Sequence, residues 1–430
     1  MRESSVSLRS RGSQGFRGHI AELDSIRAFG ILLVLVNHLW PQKVFPFFFH
    51  LGQLGWIAMD AFFVMSGFLI TGILVDTKSR PDYFRSYYLR RSLRIFPLYY
   101  AVLVVGVVMM KMAQGGAEYA SFVHDWGSPL WFFVYLGDVR TAYMAMWPPF
   151  FAFVVLWSMQ IEEQFYLLFP LAVRYLHVEQ LERLLWCLVF LSPAFRIAFY
   201  LHNPNNLVIQ NVLLPCRMEG LSLGGLMAIR FRCGPWEISK LRVALLTAVL
   251  LLAACLGSIL SRPPKPNLAY LSTFNRLAGY SLSSWGCACL VLLLVLFRGS
   301  RYTRLLRTSR VAYVATISYG IYLLHPLVMR LVRPWEVKRV FLHPETVPRF
   351  FVVSMLTIIA ATLSWFCFEG PMAKLKDRFM PKRIPDTMPY LTKEEIESPA
   401  PSLDALPVAD EARAPLATSF LYTQQKFAQK

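Results

Sequence analysis

Apolar residues run along most of the chain in blocks of about 20, separated by short polar stretches. A membrane-crossing helix needs roughly 20 predominantly apolar residues. Ten segments meet that criterion: 25–42, 54–75, 95–113, 150–173, 184–202, 212–229, 243–260, 277–297, 311–331 and 349–369. The stretch 128–139, SPLWFFVYLGDV, is too short to cross and reads as re-entrant or interfacial. The expected fold is all-α, a polytopic transmembrane helix bundle over 22–375. Residues 1–21 read as a basic N-terminal tail. Residues 376–430 read as a mostly disordered tail, carrying Pro, Ala and acidic residues but few aromatics. No second folded domain and no repeat of short period stands out.

Composition agrees. Of 430 residues, 56% are hydrophobic and 16% charged, where a soluble protein carries about 25% charged. A disordered chain, a coiled coil and a disulfide-rich secreted domain are excluded. The 44 Lys and Arg outnumber the 26 Asp and Glu, and their placement sets an orientation. About 30 of the 44 fall in segments 1–24, 77–94, 174–183, 230–242, 298–310 and 371–430. The positive-inside rule then puts both termini in the cytoplasm. A charge so dispersed over loops speaks for membrane topology and lipid contact, not nucleic acid. The N-terminal 18 residues are polar, so no cleavable signal peptide is expected. Seven Cys lie in or beside apolar segments without a paired CxxC array. They read as packing residues, and no metal is expected.

Ionisable groups inside spans are costly and point to function. The first span, ELDSIRAFGILLVLVNHLWP, holds Arg27 and His38 eleven residues apart. That is three helical turns, which puts both on one face about 16 Å apart; Asp24 is placed to pair with Arg27. The second span carries Asp60 in its outer half and Ser66 near its centre, with Gly67 and Gly72 permitting close helix approach. Arg91 and Arg94 sit one turn apart at the cytoplasmic start of the third span, where the planar guanidinium suits phosphate oxygens. Glu162 and Glu163 fall about 18 Å into the fourth span. Arg217 in the sixth span is a natural partner for either glutamate, and Arg196 is another candidate counter-ion. Ser318, Tyr322 and His325 share one face of the ninth span, with His325 at a depth comparable with His38. Glu369 lies near the cytoplasmic end of the tenth, where Gly370 and Pro371 are expected to stop the helix.

Together these segments resemble the acyltransferase type 3 family of integral membrane O-acyltransferases. The resemblance rests on Arg27 and His38 at the family's arginine-x10-histidine spacing, then DAFFVMSGFLIT, RRSLRIFP, WSMQIEEQFYLLFP, RMEGLSLGGLMA, ISYGIYLLHPLV and FEGP. These motifs occur in the family's order across roughly residues 22–372. Glu219 departs from the pattern, since many relatives have Asp there. The resemblance implies about ten membrane helices and transfer of an acyl group, usually acetyl from acetyl-CoA, to a hydroxyl on the far side of the membrane. Typical acceptors are surface or secreted bacterial glycans, which implies the bacterial cytoplasmic membrane. With about 60 residues after Glu369, a stand-alone transferase is expected, without the hydrolase-like domain fused to some relatives. By resemblance His38 is the essential histidine and Arg27 its paired marker. Arg91 and Arg94 match the pair that holds the CoA phosphates, and Glu369 matches a functional carboxylate at the mouth.

The expected chemistry has CoA docking on Arg91, Arg94 and Arg27. His38 acts either as general base on the acceptor hydroxyl or as a covalent acyl relay. Asp60, or failing that Glu162, would orient His38. Tyr322, Ser66 or His325 would stabilise the oxyanion, with Glu163 and Arg217 in support. Trp126, Trp147, Arg262, Asn267 and Trp335 in the outer loops are candidate sugar contacts, although aromatics are equally at home at membrane interfaces. The rivals are a secondary transporter or lipid-linked glycan flippase, and a catalytically inactive sensor. The acceptor, the acyl length and the oligomeric state are left open.

Overall fold

The computed structural model describes residues 19–41, 44–233, 239–260, 272–338 and 343–379. Nearly all of both expected tails lies outside the described residues, as do Arg262 and Asn267. Among the described residues there is helix and no strand. Ten long helices follow one another: α1 (Ala21–Leu39), α2 (Gly55–Asp76), α3 (Tyr83–Met112), α4 (Trp157–Tyr175), α5 (Val178–His202), α6 (Leu214–Cys233), α7 (Lys240–Leu260), α8 (Tyr280–Leu296), α9 (Ser309–Lys338) and α10 (Val347–Ser364).

Eight segments, built on α2, α3 and α5 to α10, are long and apolar enough to cross a membrane. The ten-segment reading needs α1 and α4 as well. Each has 19 residues and three charges: Glu22, Asp24 and Arg27 on α1, and Glu162, Glu163 and Arg174 on α4. The charges that weaken their apolar signal are the ones that build the site described below.

Helices α2 and α6 form the centre and pack closely on each other. A Cβ on Gly67 would fall 1.9 Å from the Leu221 carbonyl oxygen, and one on Gly224 2.0 Å from that of Val64. Only glycine allows the two backbones to touch there. The outer helices leave apolar stripes uncovered, such as Leu245, Val249 and Leu252 on α7 and Phe351, Met355 and Ile359 on α10. In a bilayer, lipid satisfies such faces.

Three local expectations change. Helix α3 begins at Tyr83, not 95, so Arg91 and Arg94 lie about two and three turns inside the helix and not at its start. The expected span 150–173 is broken into a short helix, Phe151–Val154, a turn, and α4. The break is held by the Tyr322 hydroxyl, which donates to the Val155 carbonyl at 2.6 Å. Glu162 and Glu163 therefore lie about 8 Å from the start of their helix, not 18 Å. Finally, Gly370 and Pro371 do not stop the helix. A π turn over Trp365–Glu369 absorbs the register change and a helix continues from Gly370 to Phe379. The stretch 128–139 holds two short helices, Leu130–Phe133 and the start of Gly137–Met144, neither long enough to cross.

Candidate active site

Helix α1 frames the site, with Arg27 toward one end and His38 one residue from the other. Around Arg27 the structure gathers charged groups from several elements. Arg27 pairs with Asp24 at 3.4 Å, and Asp24 also meets His19 at 2.8 Å. Arg91 reaches Glu162 at 4.0 Å and Glu163 at 3.9 Å, and its guanidinium stacks 3.6 Å over the Tyr166 ring. Glu162 is held from both sides: Ser66 donates to Oε1 at 2.9 Å and Tyr166 donates to Oε2 at 3.1 Å. The third arginine, Arg94, lies within electrostatic reach of Arg27, Arg91, Tyr166 and Tyr319, and Glu369 feels it in turn. Glu369 sits at the end of the π turn and accepts from Ser364 at 2.8 Å.

Among these arginines Arg94 is distinctive. Arg27 and Arg91 have carboxylate partners; among the described residues Arg94 has neither an ion pair nor a hydrogen bond. Its side chain is exposed, although groups from α1, α3, α4 and α9 surround it. An open guanidinium fork ringed by other cations is a site for an anion of phosphate type.

At the other end of α1, His38 Nδ1 lies 2.9 Å from Nε2 of His325 on α9. The two rings are near coplanar, 13° apart, with centroids 5.0 Å apart. The nitrogen–nitrogen distance plus two ring radii accounts for that separation, so the rings meet edge to edge in a hydrogen bond, not face to face. Phe151, from the short helix before the break, stands edge-on to His38 at 5.3 Å. His38 is partly accessible; His325 is fully buried.

The structure separates the remaining candidates from this lining. Asp60 does not orient His38: it accepts from Arg217 at 2.7 Å, and both side chains are sealed. Arg217 is accordingly not the partner of Glu162 or Glu163. It lies 3.9 Å over the Tyr280 ring, which completes its burial. Arg196 meets Glu219 at 2.8 Å in a second sealed pair joined by Ser281. Tyr322 is not free to face an oxyanion, since its hydroxyl is shared between the Val155 carbonyl and Ser158, 2.7 Å away. Ser66 is likewise committed to Glu162. Trp126 is fully buried and stacks on Phe132, so it is core and not a sugar platform, whereas Trp335 is exposed.

Sequence reasoning missed Tyr166, Tyr319 and Ser158. Tyrosines in apolar helices look like packing until the partner helix is known. It also missed Asp138, outside the spans, which accepts from Gln164 at 2.9 Å through both oxygens. Burial pushes the Asp138 carboxyl up to about 7, with the Gln164 amide opposing the shift. Among the described residues no cluster of His, Cys, Asp or Glu is arranged to hold a metal.

Comparison with known proteins gives a consistent result. A family model described as "Acyltransferase domain" matches residues 20–367. Acyltransferase MdmB of Streptomyces mycarofaciens is 26% identical over 282 residues, covering 59% of this chain and 67% of that protein. The peptidoglycan O-acetyltransferase OatA of Listeria monocytogenes serovar 1/2a is 30% identical over 168 residues, 36% of this chain and 24% of that protein. The O-acetyltransferase OatA of Staphylococcus aureus is 28% identical over 174 residues, 37% of this chain and 25% of that protein. The match thus spans about a quarter of the length of the two O-acetyltransferases. No solved structure matches.

Proposed function

Since this chain belongs to the acyltransferase family whose model covers residues 20–367, we propose that it is a membrane O-acyltransferase. In this reading it moves an acyl group, acetyl in the first instance, from cytoplasmic acyl-CoA to a hydroxyl of an extracytoplasmic glycan. The observation that carries it is the layout of α1. Arg27 belongs to a cluster of guanidiniums and His38 to an accessible imidazole, eleven residues or about 16 Å along the same helix. That separation is comparable with an extended pantetheine arm. Phosphates on Arg94, with Arg27 and Arg91 behind it, would leave the thioester beside His38. Both termini are then cytoplasmic, as the basic loops favour, and the membrane is the bacterial cytoplasmic membrane.

In the proposed reaction His38 is a general base. The acceptor O–H bond breaks and its proton goes to Nε2 of His38, while the oxygen attacks the thioester carbonyl. The tetrahedral intermediate collapses with loss of the C–S bond, and the CoA thiolate takes the proton from His38. The products are the ester and free CoA. Glu162, fixed by Ser66, Tyr166 and Arg91, holds the arginines in place. The named relatives supply the glycan: two of them are O-acetyltransferases by name, one of peptidoglycan.

The test compares envelope glycans from a deletion strain, a wild-type complement and a His38→Ala complement. Mild base releases ester-linked acyl groups for mass spectrometry. The expected outcome is one acyl ester absent from the deletion and the His38→Ala strain and restored by wild type. A His38→Ala strain with a full ester complement would reject the mechanism. Loss of surface glycan with no change in any ester would favour a flippase instead.

A further inference from the structure

The contact between His38 and His325 has a direction, and the direction decides which nitrogen of His38 is free. His325 Nδ1 lies 3.2 Å from the carbonyl oxygen of Ile321, and the Tyr322 carbonyl is also against the ring. A carbonyl can only accept, so Nδ1 of His325 carries a hydrogen. The next residue leaves the second of these carbonyls open. Pro326 sits inside α9 and brings no N–H, so the Tyr322 carbonyl four residues earlier lacks its helical donor.

His325 is fully buried and its polar contacts are the two carbonyls and His38; no carboxylate is among them. A charge there would be uncompensated, so the ring is neutral. With its hydrogen on Nδ1, its lone pair is on Nε2. That lone pair faces Nδ1 of His38 at 2.9 Å, in the ring plane. Two lone pairs cannot share such a contact, so His38 Nδ1 is the donor.

We infer that His325 is a positioning residue that locks His38 in its Nδ1–H tautomer and leaves Nε2 as the one basic nitrogen, facing the acyl-transfer site. A carboxylate usually orients a catalytic histidine and also stabilises the imidazolium. Here a neutral imidazole takes over the orienting role, anchored to the Ile321 carbonyl, with the Tyr322 carbonyl that Pro326 leaves without a helical donor beside it. When Nε2 of His38 takes the acceptor proton, Nδ1–H stays bonded to His325, so the ring keeps its direction through the cycle. The inference deepens the proposed function and rests on His38 being the base. The tautomer itself is measurable without any activity.

The experiment uses the full chain, labelled with ¹⁵N-histidine, in detergent micelles. Long-range proton–nitrogen correlation separates protonated from bare ring nitrogens, and His38→Ala assigns the His38 signals. The expected result is His38 with Nδ1 protonated and Nε2 bare. A His38 protonated on Nε2 would overturn the inference. Kinetics on His325→Leu and His325→Gln supply the second readout. Leucine removes the acceptor, and kcat should fall about 100-fold or more with KM for acyl-CoA little changed. Glutamine can donate to the Ile321 carbonyl and accept from His38, so it should recover activity to within about tenfold of wild type. Equal losses in both variants, each still stabilised by CoA and so folded, would reduce His325 to a packing residue. Full activity in His38→Ala would instead remove the base assignment and leave the tautomer result standing.

Discussion

Arg91 and Arg94 lie one turn apart on α3 yet stand in different surroundings. Arg91 stacks on the Tyr166 ring with Glu162 and Glu163 at 4.0 and 3.9 Å, whereas among the described residues Arg94 has no carboxylate in ion-pair range and an open fork. Spacing alone makes them equivalent; only their neighbours distinguish a structural arginine from one placed to take a ligand. The same contrast separates Arg217 from both. Its pair with Asp60 is sealed, so removing one partner leaves a buried charge uncompensated, at a cost of about 3–5 kcal/mol. Arg217→Met should therefore lower the detergent-phase Tm markedly, and Asp60→Asn combined with Arg217→Met should restore most of it. A double-mutant cycle in purified protein checks this; additive losses would mean the pair is not coupled.

At the scale of elements, helix geometry explains what the site requires. Helices α1 and α4 carry too many charges to look like strong spans, and they supply Arg27, His38, Glu162 and Glu163. They are stable because apolar neighbours pack around them and the charges satisfy one another. The α2–α6 crossing anchors this arrangement, since Ser66 is adjacent to Gly67. Gly67→Ala would force the α6 backbone away, because its Cβ meets the Leu221 carbonyl at 1.9 Å. A loss of about 1–3 kcal/mol is expected, together with weaker activity as Ser66 shifts from Glu162. Gly115→Ala is an apt control for crowding, because its Cβ would meet nothing within 4 Å and only its positive φ opposes it. Thermal melts of both variants test the difference: Gly67→Ala should melt well below Gly115→Ala, and equal melting points would deny the tight crossing.

For the whole molecule, the proposal predicts a ligand that a transporter has no use for. A ligand at 100 times its Kd stabilises the folded state by about 2.7 kcal/mol. CoA should accordingly raise the Tm of the purified protein, and Arg94→Gln should abolish most of that rise while leaving the unliganded Tm close to wild type. A protein indifferent to CoA under saturating conditions would fit the flippase reading and not this one.

The class of the molecule was legible in the sequence, and so were the buried charged groups and histidines as candidates, though Tyr166, Tyr319 and Asp138 were not. Apolar blocks of spanning length demand helices in a bilayer, because backbone groups must be satisfied internally. The Arg27–His38 spacing puts both on one face because helical pitch is constant, and His325 could be placed at the depth of His38 for the same reason. What it could not determine was which helices adjoin. Asp60 matched His38 in depth but faces Arg217, since depth along a helix says nothing about rotation of the bundle. The break before Trp157, the π turn that carries Glu369 and the edge-to-edge meeting of two imidazoles likewise depend on contacts between distant segments. Those contacts are a property of packing and become visible once the helices are assembled.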